Sequence, residues 1–526
     1  MTLSYLLISY IFFYLLDNLV LKEVKRMNSY WLESTSAPVY PKLEADIQTD
    51  VCIVGAGIVG VTLAYLLHKQ GIQVVLLEKD TVLSSTTANT TAKITSQHGL
   101  FYTYLINTFG KDFAKSYLYS NENALSSIRN IIQSENIACD IETQDSYVYS
   151  CLEKNKQKLI LEAQNVKSLG FQATFCEDIP LPFKTIGAVK FPNQAQFHPR
   201  KYTLSLLNLI PQNCIHENSK VYDIKQNGES YKTFTTSGTV SSKYVAITTH
   251  YPIINFPGLY FLKMYQDASY VIGVDVKKEL FPGMYISEDE PVTSFRTVPF
   301  QNKRLLLLGG SGHKTGSNNI DLDKSYENLE NYIKMLYPKA EVLYRWNTQD
   351  CISLDKIPYI GEYSNLMPNV FVATGFKKWG MTTSYVAAKI IADKIMKNPN
   401  PYEEIYSSTR LHPFKNKDEF GNILSQTSYS LILNKITPPV TKYEDLKIGT
   451  GGVVDYHGKK LGIYKKSENE IFAIKPYCAH LGCELSWNNL EKTWDCPCHG
   501  SRYDYKGSLL NEPSKKGLET VDITKL

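Results

Sequence analysis

The chain has 526 residues, of which 43% are hydrophobic and 21% are charged. These are the values of an ordinary globular protein, and they exclude a disordered or fibrous chain. Its 56 basic and 52 acidic residues leave a net charge of only +4, so we expect no nucleic-acid partner. At roughly 150 residues per domain, the length predicts about three domains.

The N-terminal segment is apolar enough to raise the question of a membrane anchor. Residues 3–21 contain one charged side chain, Asp17, and basic residues follow at 22–26. A spanning helix needs about 20 apolar residues, so this segment is marginal, and its charge order is the reverse of a signal peptide's. Met27 is a natural start for a protein without it. Residues 1–26 are therefore interpreted as either an anchor or an unused start. Both place the protein in the cytoplasm, the anchor on the cytoplasmic face of the membrane.

A complete βαβ unit follows. A buried strand at 50–54 runs into Gly55-Ala-Gly57-Ile-Val-Gly60, a helical pattern comes next, and a second strand ends at Glu78. Gly55 makes the tight turn, Gly57 lets a pyrophosphate approach the backbone, and Gly60 lets the helix pack on the strand. The helix N-terminus holds the phosphates, and Glu78 accepts the ribose hydroxyls, which disfavours NADP. The unit predicts a bound dinucleotide.

Three later stretches resemble the D-amino-acid oxidase family, which includes glycine oxidase and sarcosine oxidase. SSTTANTTAKITSQHG, from Ser84, resembles the family's flavin loop. Val221, in KVYDI, resembles the strand whose backbone meets the adenine. NVFVATGFKKWGMTTS, at 369–384, resembles the glycine-rich turn and helix start under the flavin ring. The resemblance covers residues 48–400.

The resemblance implies FAD as the cofactor, in an α/β Rossmann-like FAD-binding domain interleaved with an α+β substrate domain. It implies removal of a hydride from a carbon beside an amine onto the flavin. Ser384 stands where the family often has glycine. Beyond the fingerprint, the implied cofactor-binding residues are Thr86, Thr87, Val221, Gly375, Gly380, Met381 and Thr382.

No residue in this half stands out as a catalytic base. The flavin loop offers Lys93 and His98, and the late glycine-rich block offers Lys377 and Trp379. These four are weak catalytic candidates, because a loop lysine is usually only solvated.

The pattern changes towards the C-terminus. The stretch at 410–426 is polar and without apolar periodicity, which predicts a linker. Short β-like runs broken by Gly and Pro then predict a small all-β domain. We therefore expect an oxidoreductase part at 27–405, a linker at 406–429 and the small domain at 430–526.

Six of the ten cysteines are scattered along the chain, and four lie close together near its end. Two loops each offer one Cys and one His: Cys478 with His480, and Cys496 with His499. Two thiolates and two imidazoles form the ligand set of a Rieske [2Fe–2S] centre, but Cys and His at short spacing also suit zinc.

Four further residues favour the iron–sulfur centre. Zinc explains neither the extra Cys483 and Cys498 nor the following Ser501 and Tyr503. Residues 430–526 resemble the Rieske proteins of cytochrome bc-type complexes. In that family the matching cysteines form a disulfide, and the matching hydroxyls hydrogen-bond a bridging sulfide and a ligand thiolate. The resemblance implies a Cys483–Cys498 disulfide and a [2Fe–2S] cluster.

The two parts together predict an FAD-dependent dehydrogenase of a small amine or amino acid. Electrons would pass from the flavin through the Rieske cluster to an unidentified external acceptor. Two alternatives stay open: a membrane-associated electron-transfer flavoprotein, and a flavin oxidase whose cluster senses redox state. The substrate class rests on resemblance, because a fold does not fix a function.

Overall fold

The computed structural model describes residues 28–317, 321–410, 439 and 441–525. The predicted anchor at 3–21 and most of the predicted linker lie outside these ranges. Within them, no helix is both long and apolar enough to cross a membrane.

Most helices belong to the N-terminal part of the chain, which we define as residues 28–410. In chain order they are α1 (Tyr30–Glu33), α2 (Ile58–His68), α3 (Tyr102–Phe109), α4 (Lys111–Ser134), α5 (Lys156–Ser168), α6 (Pro199–Asn208), α7 (Ser325–Leu336), α8 (Gly380–Met396) and α9 (Glu403–Tyr406).

The strands of the N-terminal part are β1 (Ile47–Val54), β2 (Val74–Leu77), β3 (Lys93–Ile94), β4 (Glu142–Ser150), β5 (Thr174–Cys176), β6 (Gly187–Gln196), β7 (Ile215–His216), β8 (Val221–Asn227), β9 (Ser230–Thr235), β10 (Thr239–Ile247), β11 (Met264–Asp275), β12 (Met284–Ser287), β13 (Ser294–Phe300), β14 (Lys303–Lys314), β15 (Glu341–Ser353), β16 (Tyr359–Glu362) and β17 (Val370–Thr374). The C-terminal domain, residues 441–525, contains β18 (Thr450–Tyr456), β19 (Lys459–Lys465), β20 (Ile471–Ile474), β21 (Ser486–Asn488), β22 (Thr493–Asp495), β23 (Arg502–Asp504) and β24 (Leu509–Asn511).

An eight-stranded sheet carries the predicted fingerprint. Its strand order is β16-β17-β10-β1-β2-β7, with β8 and β9 attached to β10. The pairs from β17 through β10, β1 and β2 to β7 are parallel. All of β2 and the last four residues of β1 are buried, as expected for strands covered on both faces. Helices α2 and α8 pack against each other beside this sheet.

A nine-stranded sheet forms the second layer, in the order β15-β11-β14-β13-β12-β4-β6-β3, with β5 on β6. Its segments alternate along the chain with those of the first sheet. The long strands β11 and β15 pair with each other in antiparallel register along almost their whole length. The predicted Rossmann-like domain with an interleaved α+β domain is confirmed.

The C-terminal domain is a small all-β unit, also as predicted. Strands β18–β20 form one antiparallel sheet and β21–β24 another. Its core includes the buried side chains of Leu485, Trp494 and Tyr503.

The first residues of the predicted linker pack on the N-terminal part. Tyr406 is buried, and the Arg410 guanidinium forms an ion pair with Asp355, 2.7 Å between Nε and Oδ2. Residues 411–429 lie outside the described part of the chain.

Candidate active site and metal centre

A cavity of about 290 Å³ is lined by residues from both large sheets. The eight-stranded sheet contributes Gly57, which follows β1, and Glu78, which follows β2. The nine-stranded sheet contributes Ser269 of β11 and Thr348 of β15. The cavity therefore lies where the sequence predicts the dinucleotide.

Two glycines of the fingerprint are required by backbone packing, and the third is not. Gly55 has φ +105°, and a Cβ there would lie 2.8 Å from the Thr248 carbonyl oxygen. A Cβ at Gly60 would lie 2.0 Å from the Gly55 oxygen, so helix α2 can approach β1 only with glycine there. At Gly57, by contrast, a Cβ would make an ordinary 3.4 Å contact with Thr87 Oγ1. Protein packing thus tolerates a side chain at Gly57, and its absence leaves room for a phosphate.

Glu78 is held by the turn that it faces. Its Oε2 accepts a hydrogen bond from the Ala56 amide at 2.9 Å, and its Oε1 accepts one from the Asp80 amide at 3.1 Å. Burial raises the pKa of this carboxyl group. Glu78, which we predict to bind the ribose, thus lines the cavity and also holds the fingerprint turn in place.

Most of the predicted cofactor residues line this cavity. Those that line it are Gly55, Gly57, Glu78, Thr86, Thr87, Val221, Gly380 and Met381, together with the catalytic candidates Lys93 and Trp379. Gly60, Gly375, Thr382, His98 and Lys377 do not appear in its lining. Thr382 instead donates a hydrogen bond to the Thr95 carbonyl oxygen at 2.9 Å.

Two of the catalytic candidates are engaged in packing. His98 Nδ1 lies 2.7 Å from the Tyr117 hydroxyl, and burial lowers the pKa of this imidazole to about 3. The Lys377 ammonium lies 4.0 Å from the centre of the Phe101 ring. Neither side chain is among the residues that line the cavity, although His98 stacks on Trp379, which does line it.

Lys93 is a buried lysine on the cavity wall. Its Nζ donates to the Tyr285 carbonyl oxygen at 2.8 Å and contacts the Ser294 hydroxyl. Burial, with a smaller contribution from the Arg296 guanidinium, lowers the pKa of Lys93 to about 7. Neither hydrogen-bond acceptor carries a negative charge, so an anion entering the cavity would meet an uncompensated cation.

A charged group in β11 and β15 was missed by the sequence analysis. Asp350 lines the cavity and pairs across the strands with Asp267. The Lys378 ammonium lies 2.7 Å from Asp267 Oδ2 and also lines the cavity. Burial raises the pKa of Asp350 to about 6, a shift that Lys378 opposes. The sequence alone carries no clear signal for this group, because β15 is only partly buried.

The predicted cluster ligands come together in the C-terminal domain. The rings of His480 and His499 are 5.1 Å apart and nearly perpendicular. His480 Nδ1 and both ring nitrogens of His499 are buried without a hydrogen-bond partner in the described residues. Burial lowers the pKa of His480 to about 4 and that of His499 to about 3. Neutral imidazoles with unsatisfied nitrogens fit a metal centre.

The two predicted thiolate ligands are buried beside these rings. A contact between Cys478 and Cys496 lowers the pKa of Cys478 to about 6 and raises that of Cys496. The Tyr503 hydroxyl lies 3.2 Å from Cys478 Sγ, and the Ser501 hydroxyl also lowers the Cys478 pKa. Hydroxyl donors directed at a ligand sulfur fit an iron–sulfur centre.

A disulfide joins the first ligand loop (residues 478–483) to the second (residues 496–501). It links Cys483 to Cys498, with a Cα–Cα distance of 6.7 Å. Both sulfurs lie within 4.8 Å of Cys496 Sγ. Disulfide sulfurs are not thiolates, so the two cysteines and two histidines remain the candidate ligands.

The second ligand loop lies directly against the N-terminal part. Gln266 Nε2, from β11, donates to the His499 carbonyl oxygen at 2.9 Å. Gln349 Nε2, from β15, donates to the Gly500 carbonyl oxygen at 2.8 Å. The Phe261 ring also meets the His480 and His499 rings edge-on, with centroids 5.3 and 5.6 Å away.

A second contact brings the C-terminal domain to the cavity itself. Asn511 and Glu512 are part of the cavity lining. Glu512 Oε1 lies 3.5 Å from the Lys79 ammonium, which follows Glu78. The C-terminal domain thus completes the wall of the dinucleotide site.

Comparison with known families fits both sites. The family described as FAD dependent oxidoreductase matches residues 50–394. The chain belongs to this FAD-dependent oxidoreductase family. The Rieske [2Fe-2S] domain matches residues 437–522. The cofactors are therefore FAD and a [2Fe–2S] cluster, and the chain is an FAD-dependent oxidoreductase.

Curated relatives share this arrangement or its second half. The "Putative Rieske 2Fe-2S iron-sulfur protein YhfW" of Bacillus subtilis (strain 168) is 38% identical over 498 residues, which are 94% of this chain and 97% of that protein. The cytochrome b6-f complex iron-sulfur subunit 2 of Nostoc sp. (strain PCC 7120) is 30% identical over 123 residues, 23% of this chain and 67% of that subunit.

Solved structures share the fold of the N-terminal part. Glycine oxidase from Geobacillus kaustophilus has a TM-score of 0.59 at 19% identity and covers 69% of this chain and 99% of its own. L-Proline dehydrogenase from P. horikoshii has a TM-score of 0.58 at 15% identity and covers 70% and 98%. The C-terminal domain is thus added to a complete flavoprotein fold.

Proposed function

We propose that this FAD-dependent oxidoreductase dehydrogenates an amino acid and passes the electrons through its own [2Fe–2S] cluster to an external acceptor. When bound, FAD supplies the hydride acceptor for the carbon beside the amine. The observation that carries the proposal is the pair of hydrogen bonds from Gln266 and Gln349 to the second ligand loop.

These bonds place the ligand loop on the sheet that forms the cavity wall. Side chains alternate between the two faces of a strand, and Gln349 sits between Thr348 and Asp350, which both line the cavity. Gln266 pairs with Cys351, and therefore shares the face of Gln349. The loop and the cavity are thus on opposite faces of β11 and β15, which supports electron transfer across one sheet.

The charges in the cavity favour an amino acid over a simple amine. Lys93 offers a cation with no acidic partner to hold a carboxylate, and Asp350 offers a carboxylate to the amine. The pKa of Asp350, about 6, leaves it ionised at neutral pH and able to accept a proton from a substrate ammonium. The cavity thus presents both charges that an amino acid complements.

Anaerobic reduction tests the proposal. The oxidised protein is mixed with pools of amino acids and of amines that lack a carboxylate, and visible and EPR spectra are recorded. We expect a flavin that bleaches with an amino-acid pool and a Rieske-type signal that follows. A flavin that bleaches while a dithionite-reducible cluster stays silent would contradict the electron route and favour the oxidase with a redox-sensing cluster. Bleaching by amines alone would contradict the substrate class.

A further inference from the structure

The two histidine ligands differ in their surroundings. His499 is only 2% exposed, whereas His480 is partly exposed, next to Leu481 at 41%. The backbone of the His499 loop receives both glutamine hydrogen bonds, and no hydrogen bond from the described N-terminal part reaches residues 478–483. Phe261 contacts both histidine rings, but among the described residues the polar contacts from the flavin half go to the second ligand loop.

We propose that Gln266 and Gln349 are positioning residues that hold the second ligand loop at electron-transfer distance, so that electrons enter the cluster on its His499 side. This inference rests on the proposed function. One electron passes from reduced flavin to the cluster in each transfer, so the flavin loses one electron and the cluster gains one. A rigid contact suits this step, because electron-transfer rates fall steeply with distance.

The burial of both glutamines makes their bonds effective. Gln266 is 3% exposed and Gln349 is 7% exposed, so little water competes with their amides for the carbonyl oxygens of the loop. A carbonyl group left unsatisfied in such a site carries a full desolvation cost. Gln266 also donates to the Glu512 carbonyl oxygen at 2.8 Å, so one side chain holds both the loop and the cavity-lining segment.

The close packing of the loop leaves little alternative geometry. A Cβ at Gly500 would lie 2.6 Å from Gln266 Cβ, and one at Gly316 would lie 2.5 Å from the Pro497 amide nitrogen. The Lys79–Glu512 ion pair is partly exposed, and such pairs contribute little. The glutamine bonds are therefore the main polar determinants of where the loop sits.

The test uses the full holoprotein and needs no known substrate. The flavin is reduced by a light flash with EDTA as electron donor, and reduction of the cluster is followed by absorbance and freeze-quench EPR. We expect Gln266→Met with Gln349→Met to slow cluster reduction at least about tenfold, because one buried bond shifts a docking equilibrium by about that factor. The flavin spectrum and the cluster g-values should stay unchanged.

Gln196→Met is the matched control, since Gln196 is also buried and donates to a backbone carbonyl, that of Thr297, as well as to Glu142, both within the N-terminal part. Hydrogen exchange of residues 496–501 gives a readout independent of electron transfer and should rise only in the double variant. Each single variant is measured as well, in case the double variant does not fold. If the native protein reduces its cluster and the folded variants reduce theirs at the same rate, the inference is overturned. Failure of transfer in the native protein would instead overturn the proposed function.

Discussion

Lys93 is a buried lysine with no acidic partner, and we expect its protonation to control the binding of carboxylates. The pKa of Lys93, about 7, means that its positive charge is present below pH 7 and is lost above it. A non-oxidisable carboxylate such as benzoate should therefore bind tightly at pH values below 7. Its binding is titrated by its effect on the flavin spectrum. Its Kd should rise about tenfold per pH unit above that value.

Lys93→Met should bind benzoate weakly at every pH and lose this pH dependence. Lys377→Met is the control, because Lys377 packs on Phe101 and does not line the cavity. An unaltered pH profile in Lys93→Met would remove Lys93 from carboxylate binding.

The buried imidazoles allow a second residue-scale prediction. His480→Ala removes one of four ligands, so the [2Fe–2S] EPR signal and about two iron atoms per chain should be lost while FAD stays bound. Metal analysis and the flavin spectrum measure both. His457→Ala, at an exposed histidine of the same domain, should keep the cluster. Stoichiometric zinc in the native protein, without iron, would contradict the assignment.

In the βαβ turn, one glycine is required for packing and another leaves room for the ligand. A Cβ at Gly57 meets only ordinary contacts, so Gly57→Ala should keep the fold, yet its methyl group would enter the space for a phosphate. We expect the variant to be folded, judged by circular dichroism, and its FAD occupancy to fall at least about tenfold. Gly60→Ala, which clashes with the Gly55 oxygen, should lower stability itself. Full FAD occupancy in Gly57→Ala would contradict the predicted role.

The elements also show what sequence can predict. The fingerprint from Gly55 to Glu78 and the two ligand loops are contiguous motifs, because their chemistry needs donors at fixed local spacing. Gln266, Gln349 and Asp350 are single polar residues in long strands, and only the pairing of β11 with β15 shows which face each occupies. The fold was therefore predictable, and the ligand set stays a prediction that the buried imidazoles fit, whereas the contact between the two redox sites could not be predicted.

At the scale of the whole molecule, the Lys79–Glu512 pair links the two parts beside the cavity. Glu512→Gln should speed FAD release by up to about fivefold, because a partly exposed ion pair contributes at most about 1 kcal/mol. Fluorescence of released flavin measures the rate. Glu519→Gln removes a pair with Lys475 inside the C-terminal domain and should have no effect. Equal rates in both variants would contradict a role of Glu512 in closing the cavity.

The cavity wall supplied by Asn511 and Glu512 also bears on how the protein is made. A chain that has emerged from the ribosome only as far as residue 410 presents a flavin site that still lacks part of its wall. Domains fold as they emerge, so the nucleotide can enter before the iron-binding residues have been synthesised. Biogenesis then has a natural order, with the vitamin-derived cofactor first and the iron–sulfur machinery second.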